Sequence, residues 1–147
     1  MKNLYPVLNS VIFLLMLSIS GCERDEIFPP YNNSKNNPVI INVPDSFSFE
    51  VNADNFNYSK MLQLYISTDT LAVKIIIVRL TSGSGYLEIK DGVHTSIYLK
   101  DLSSQINGTD VFRFKNKPGT LALTLSQYTG EVKINITHDV QTWILKK

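Results

Sequence analysis

Catalysis in a chain of 147 residues needs nucleophiles, proton carriers or metal ligands, and few are present here. Cysteine occurs once, at Cys22, and histidine twice, at His94 and His138. Neither histidine has a cysteine or second histidine at ligand spacing, whereas a zinc site takes three or four such groups. His94 follows an Asp-Gly pair and His138 lies in Thr137-His138-Asp139, so both read as turn residues. There is no nucleophile elbow, phosphate loop or dinucleotide motif. Ser82-Gly83-Ser84-Gly85 lacks the lysine and helix that phosphate binding wants and reads as a tight connection. Carboxylate pairs for glycoside hydrolysis form in space, but Glu50, Asp54, Glu88, Asp91 and Asp101 read as solvated faces and turn caps. Calcium prefers oxygen ligands, and Asp91, Asp101 and Asp110 could supply them if loops gathered at one end of a β domain. The expectation is a non-enzymatic protein with no cofactor and no resident metal.

Binding has to be argued from aromatic residues. Tyr31, Tyr58, Tyr65, Tyr86, Tyr98, Tyr128 and Trp143 exceed what a small core needs, and tyrosine and tryptophan suit surfaces that are part apolar and part wet. Tyr65 and Tyr86 fall opposite the aliphatic face of their strands, and with Trp143 they are the candidate ligand-binding residues. The competing reading is cross-strand support of a sheet, worth fractions of a kcal/mol per pair.

The first 22 residues have their own logic. Lys2 is followed by an unbroken apolar run from Val11 to Leu17, too short to span a bilayer, which takes roughly 20 residues. Such a segment reads as a secretory signal ending in a processing site. Ile19-Ser20-Gly21-Cys22 resembles a bacterial lipoprotein box, in which the cysteine becomes the lipid-modified first residue of the mature protein. Small Ser20 and Gly21 leave the scissile bond open to a peptidase, and acylation accounts for a lone thiol in an exported chain. Two or more acyl chains anchor stably where one does not. Glu23, Asp25 and Glu26 follow at once, and an acidic cluster there resembles the export signal of surface-exposed lipoproteins of the Bacteroidota. The resemblance implies an outer-membrane location facing the cell exterior. Asp69-Thr70-Leu71 is similar to a short O-glycosylation sequon of exported proteins from the same group, which makes Thr70, in an expected exposed turn, a candidate modification site.

The remaining chain must supply whatever Cys22 holds. Residues 22–37 contain Pro29-Pro30 and an Asn/Ser run and read as a polar tether. From there the pattern has period two. Phe47, Phe49 and Val51 alternate with Ser46, Ser48 and Glu50; Leu62, Leu64 and Ile66 alternate with Gln63 and Tyr65. Ile75-Ile76-Ile77-Val78 disfavours helix and reads as a central strand covered on both faces. Leu87 and Ile89 face inward, Asp91-Gly92 marks a hairpin, and Ile97 and Leu99 mark the next strand. Phe112 and Phe114 leave the inner face of their strand open. Leu121, Leu123 and Leu125 are separated by an expected turn at Tyr128-Thr129-Gly130 from Val132, Ile134 and Ile136. A last strand over residues 140–145 carries Trp143.

Nine or ten strands with short connections and no helical run predict an all-β, antiparallel two-sheet sandwich, jelly-roll-like or immunoglobulin-like. Its boundaries are a signal over 1–21, a tether over 22–37 and a domain over 38–147. Gly85 to Gly92 resembles the segment of CUB-type jelly-roll domains that ends a strand in Asp-Gly, although the paired cysteines of that family are missing. Beyond the signal, which holds only Lys2, 13 basic residues face 13 acidic ones. That neutrality argues against nucleic acid, which binds concentrated positive charge. Function is expected to be attachment of a protein-binding or protein-assembling domain to the envelope. The alternatives are a carbohydrate-binding lipoprotein of a glycan-acquisition system and a protective or immunity lipoprotein.

Overall fold

The computed structural model describes residues 34–138, so the signal, Cys22 and its acidic neighbours, and Trp143 lie outside the described residues. Six strands occur in the order β1 (Val39–Val43), β2 (Ser46–Gln63), β3 (Thr70–Asp91), β4 (Ser96–Asp101), β5 (Ile106–Arg113) and β6 (Pro118–His138). All pairings between them are antiparallel, and no helix occurs among the described residues.

Three strands run 18, 22 and 21 residues, far beyond the usual five or six. They are long because each serves both layers. β6 lies between β2 and β3, and its ladders slip at one level: between Ala53 and Tyr58 on one side, and between Val78 and Ser84 on the other. Asn55, Arg79, Gly83 and Gln127 all take positive φ there, at 50°, 55°, 102° and 48°. Such bulges bend and twist a strand, and here three neighbours bend together into a corner. On one side of the corner, sheet I comprises β1, the first part of β2, the last part of β6, the first part of β3, and β5. On the other, sheet II comprises the rest of β2, β6 and β3, with β4 at its edge.

Two expected turns are therefore corrected. Ser82-Gly83-Ser84-Gly85 and Tyr128-Thr129-Gly130 do not reverse the chain; they are the corner segments of β3 and β6. Gly83 is needed there: a Cβ would lie 2.5 Å from the Tyr128 Cα and 2.7 Å from the Gln127 carbonyl oxygen. The polar stretch at 52–60 is likewise the corner of β2, where Phe56 and Tyr58 pack against the core. Counting each long strand once per sheet gives nine strands among the described residues, against the nine or ten expected; the expected strand over 140–145 lies outside the described residues.

Burial follows the alternation. Phe47, Ile136 and Val73 form one cross-strand row of sheet I, followed by Phe49, Ile134 and Ile75, then Val51, Val132 and Ile77; all nine are buried. Leu62, Leu121, Ile89 and Tyr98 form a facing row in sheet II. Each fully buried aliphatic or aromatic side chain contributes about 1.5–3 kcal/mol. The Ile75–Val78 run is central, between β6 and β5, with Ile75 and Ile77 in the core and Ile76 and Val78 half-buried.

One side of the sandwich is closed by a seam between β4 and β5, which pair with different halves of β3. Tyr98 packs on Phe112 at 4.8 Å, and Phe112 stacks on Phe114 at 5.8 Å. The phenylalanines thus take the inner face and Val111 the outer, where it is exposed. Asp110 Oδ2 accepts hydrogen bonds from the Tyr98 hydroxyl and the Lys100 ammonium, each at 3.0 Å.

Candidate functional site

The outer face of sheet II carries three exposed large apolar or aromatic residues, Met61, Tyr86 and Leu99. Registers align Met61 with Ala122, Ala122 with Glu88, and Glu88 with Leu99. Met61 and Leu99 are 62% and 65% exposed and stand on the two edge strands of the sheet, three strand spacings or roughly 14 Å apart, with Ala122 and Glu88 between them. The adjacent row runs Ser59, Thr124, Tyr86 and Asp101, with Tyr86 43% exposed. Glu88 and Lys90 form an ion pair at 3.3 Å, and the Ser59 and Thr124 hydroxyls lie 3.4 Å apart. Two apolar side chains and an aromatic ring among short polar groups make a surface suited to contact with another protein.

Tyr86 belongs to this face, as its phase predicted, but Met61 and Leu99 were not singled out. Leu99 marked its strand with no inner face assigned; Tyr98 is buried, and Leu99 points out. The register shift between Ile89 and Lys90 sets this phase, and the Tyr98 contacts with Phe112 and Asp110 hold it. Tyr65 is 58% exposed, in the link after β2, and its carbonyl accepts the Asp45 amide at 2.8 Å. That link follows the Gln63–Thr120 pair, whereas Tyr86 pairs with Thr124 near the corner. Four residues of β6, roughly 13 Å, separate the two levels, so Tyr65 and Tyr86 share no platform. Trp143 lies outside the described residues.

The aspartates considered for calcium do not gather. Asp91 sits at the β3–β4 hairpin, where Oδ1 accepts the Val93 and Thr95 amides at 3.0 and 2.8 Å and Oδ2 accepts the Asn116 side chain at 2.8 Å. These bonds, the Asn116 one foremost, hold its carboxyl below the ordinary 3.8. A recess of about 430 Å³ there is lined by Asp91, Gly92, Val93, Lys115, Asn116 and Lys117. Asp101, at the end of β4, accepts the Ser103 amide at 2.8 Å and is lowered by Ser103. Asp110 belongs to the β4–β5 seam, lowered first by Lys100 and then by Tyr98. Among the described residues, no three His, Cys, Asp or Glu side chains are grouped to hold a metal ion.

The histidines occupy structural positions. His94 is exposed at φ 65° in the hairpin turn, its amide donating to the Asp91 carbonyl at 3.0 Å. His138 is not in a turn; it is the last residue of β6 and pairs with Leu71. Thr70 also departs from expectation. It opens β3, is 6% exposed, and lies 3.3 Å from Asp69 Oδ1 through its hydroxyl, so the folded domain encloses the oxygen a glycan would need.

A second polar cluster caps the corner. Lys35 pairs with Asp54 at 2.6 Å, Arg79 pairs with Glu131, and Lys133 pairs with Glu50 at 2.9 Å. Lys35, Asn52, Asp54, Arg79, Thr129 and Glu131 line a recess of about 220 Å³. Its anions and cations are matched, which makes it a brace where the chain enters the fold.

No family model matches this chain, and no curated protein matches it. Among solved structures, a chain from Bacillus endospore appendages, described as a family of disulfide-linked pili, is similar at 16% identity and a TM-score of 0.43. The similarity covers 76% of this chain and 97% of that one. A chain of the glycosylation-associated protein complex (Gap123) of Streptococcus agalactiae gives 10% identity and a TM-score of 0.33, over 77% of this chain and 43% of its own length.

Proposed function

We propose that this protein is a non-catalytic, lipid-anchored envelope protein that docks another protein through the outer face of sheet II. The observation that carries the docking claim is that Met61, Tyr86 and Leu99, all exposed, lie on the same outer face of sheet II. Burying such side chains against a partner removes apolar area from water at about 25 cal/mol per Å². The carbohydrate alternative asked for neighbouring exposed aromatics, and Tyr65 and Tyr86 stand at different levels of the sandwich. The immunity alternative has no observation of its own.

Anchorage is proposed at Cys22, with Ile19, Ser20 and Gly21 as the peptidase recognition residues and Glu23, Asp25 and Glu26 as the surface-export signal. The location that follows is the outer membrane, facing the exterior. Metabolic labelling with an alkynyl fatty acid should mark the wild type and not Cys22→Ala, and globomycin should leave the unprocessed precursor. Docking is tested with Met61→Ser/Leu99→Ser in the full-length chain. The double variant should keep the far-ultraviolet spectrum and the fatty-acid label while losing its envelope partner; retention of the partner would refute the proposed face.

A further inference from the structure

The corner recess and the recess at the β3–β4 hairpin differ in charge balance. At the corner, Lys35 and Arg79 meet Asp54 and Glu131 in ion pairs, so each charge is answered. At the hairpin, Lys115 and Lys117 share the wall with a single carboxylate, that of Asp91. Both of its oxygens are already committed, Oδ1 to the Val93 and Thr95 amides and Oδ2 to the Asn116 carboxamide. Lys115 and Lys117 are exposed, and neither forms an ion pair or a side-chain hydrogen bond among the described residues. Lys117 does act electrostatically on Asp45, but Asp45 Oδ1 is held by the Ser67 amide and hydroxyl, each at 2.7 Å. The amides of Lys115, Asn116 and Lys117 likewise have no acceptor among the described residues.

We propose that the hairpin recess binds a sugar acid, a hydroxylated monoanion about one ring in size, through its carboxylate. Charge sets the anion: two ammonium groups against one carboxylate leave a single positive charge, which suits a carboxylate better than a doubly charged phosphate. Lysine ammonium groups give charge-assisted bonds to carboxylate oxygens, and the spare amides add further donors. Size agrees, because the volume of about 430 Å³ falls within the roughly 300–1,000 Å³ of small-molecule sites. Polarity sets the body of the ligand. Val93, 75% exposed, is the one aliphatic residue of the lining, and the Asn116 Oδ1 has no donor among the described residues, so it can accept a sugar hydroxyl. The walls are also held in place before any ligand arrives. The Asn116–Asp91 bond at 2.8 Å pins the link between β5 and β6 to the hairpin, and the Phe114 amide fixes the start of that link to the Asp69 carbonyl at 2.7 Å. A pre-set wall spares the ordering cost of binding. Recognition here is by charge and hydrogen bonds, not by ring stacking, so the separation of Tyr65 from Tyr86 does not bear on it. The inference concerns a different surface from the docking face and does not rest on it.

The test is a titration of the full-length, nitrogen-15-labelled chain in detergent, followed by amide chemical shifts. The probes are sodium glucuronate, glucose, sodium acetate and an N-acetylated dipeptide with a free C-terminal carboxylate. Glucuronate should give saturable shifts at Lys115, Asn116 and Lys117, and glucose none. Its affinity should exceed that of acetate by about tenfold or more, through the added hydroxyl contacts. Lys115→Gln/Lys117→Gln should weaken glucuronate by about tenfold or more, while the amides of Leu121 and Ile134 in the core keep their positions. Glucose binding as well as glucuronate, acetate or the dipeptide binding as tightly as glucuronate, shifts that map elsewhere, or no saturable shift overturns the proposal. So does a double variant that binds glucuronate undiminished.

Discussion

Tyr128 shows how much one side chain can carry at the corner. It is fully buried, and its hydroxyl donates to the Leu102 carbonyl at 2.6 Å, fixing the chain after β4 to the bend of β6. Tyr128→Phe leaves that carbonyl without its donor and should cost about 1–3 kcal/mol, read as a lower urea midpoint at unchanged slope. Burial pushes the phenol from 10.0 up to about 12. The folded state therefore favours the neutral form: its contribution is complete below pH 10 and is lost as pH rises through about 12. Tyrosinate absorbance should show a late alkaline step that coincides with unfolding and is smaller in Tyr128→Phe. Asp110 has the opposite sign. Lys100 and Tyr98 hold its carboxyl below 3.8, so its contribution is complete above that pH and fades as pH falls through the lower folded value. Asp110→Asn should flatten the acid limb of a stability-versus-pH profile, measured by denaturant midpoints. Residue identity and alternation were enough to place Phe47, Phe49, Ile134 and Ile136 inside. They were not enough for Leu99 or Thr70, whose exposure depends on a register shift and on where β3 begins.

At the scale of elements, the corner decides the architecture. A Gly/Ser run marks a hairpin or a bend equally well, because both need positive φ and room for backbone. The difference lies in what pairs with what, which local sequence does not encode. Here β3 and β6 stay partners on both sides of Gly83. Gly83→Ala should therefore be costly, about 1–3 kcal/mol from the φ of 102° alone, before the close contact with Tyr128 is relieved. Gly92→Ala, where an added Cβ meets nothing within 4 Å, should stay within about 0.5 kcal/mol. Equal denaturation midpoints for the two variants would contradict the corner. The strand segments within the described residues were legible because their alternation survives the bend; their joining into three long strands was not.

For the whole molecule, the proposal divides labour between an anchor at Cys22 and a sandwich that docks a partner through the outer face of sheet II. The aspartates considered for calcium lie apart: Asp91, Asp101 and Asp110 each stabilise a different turn or seam. Of the binding candidates, Tyr65 and Tyr86 stand apart, and Tyr86 shares its face with two exposed residues that alternation alone did not mark, Met61 and Leu99. The most direct measurement is whole-cell cross-linking from a photoreactive residue at Leu99, compared with one at Lys74 on the opposite sheet. The account predicts one dominant protein adduct from Leu99, mapped to that face and absent from Lys74. Equal adducts from both positions, or none from Leu99 while the fatty-acid label shows an anchored protein, would contradict it.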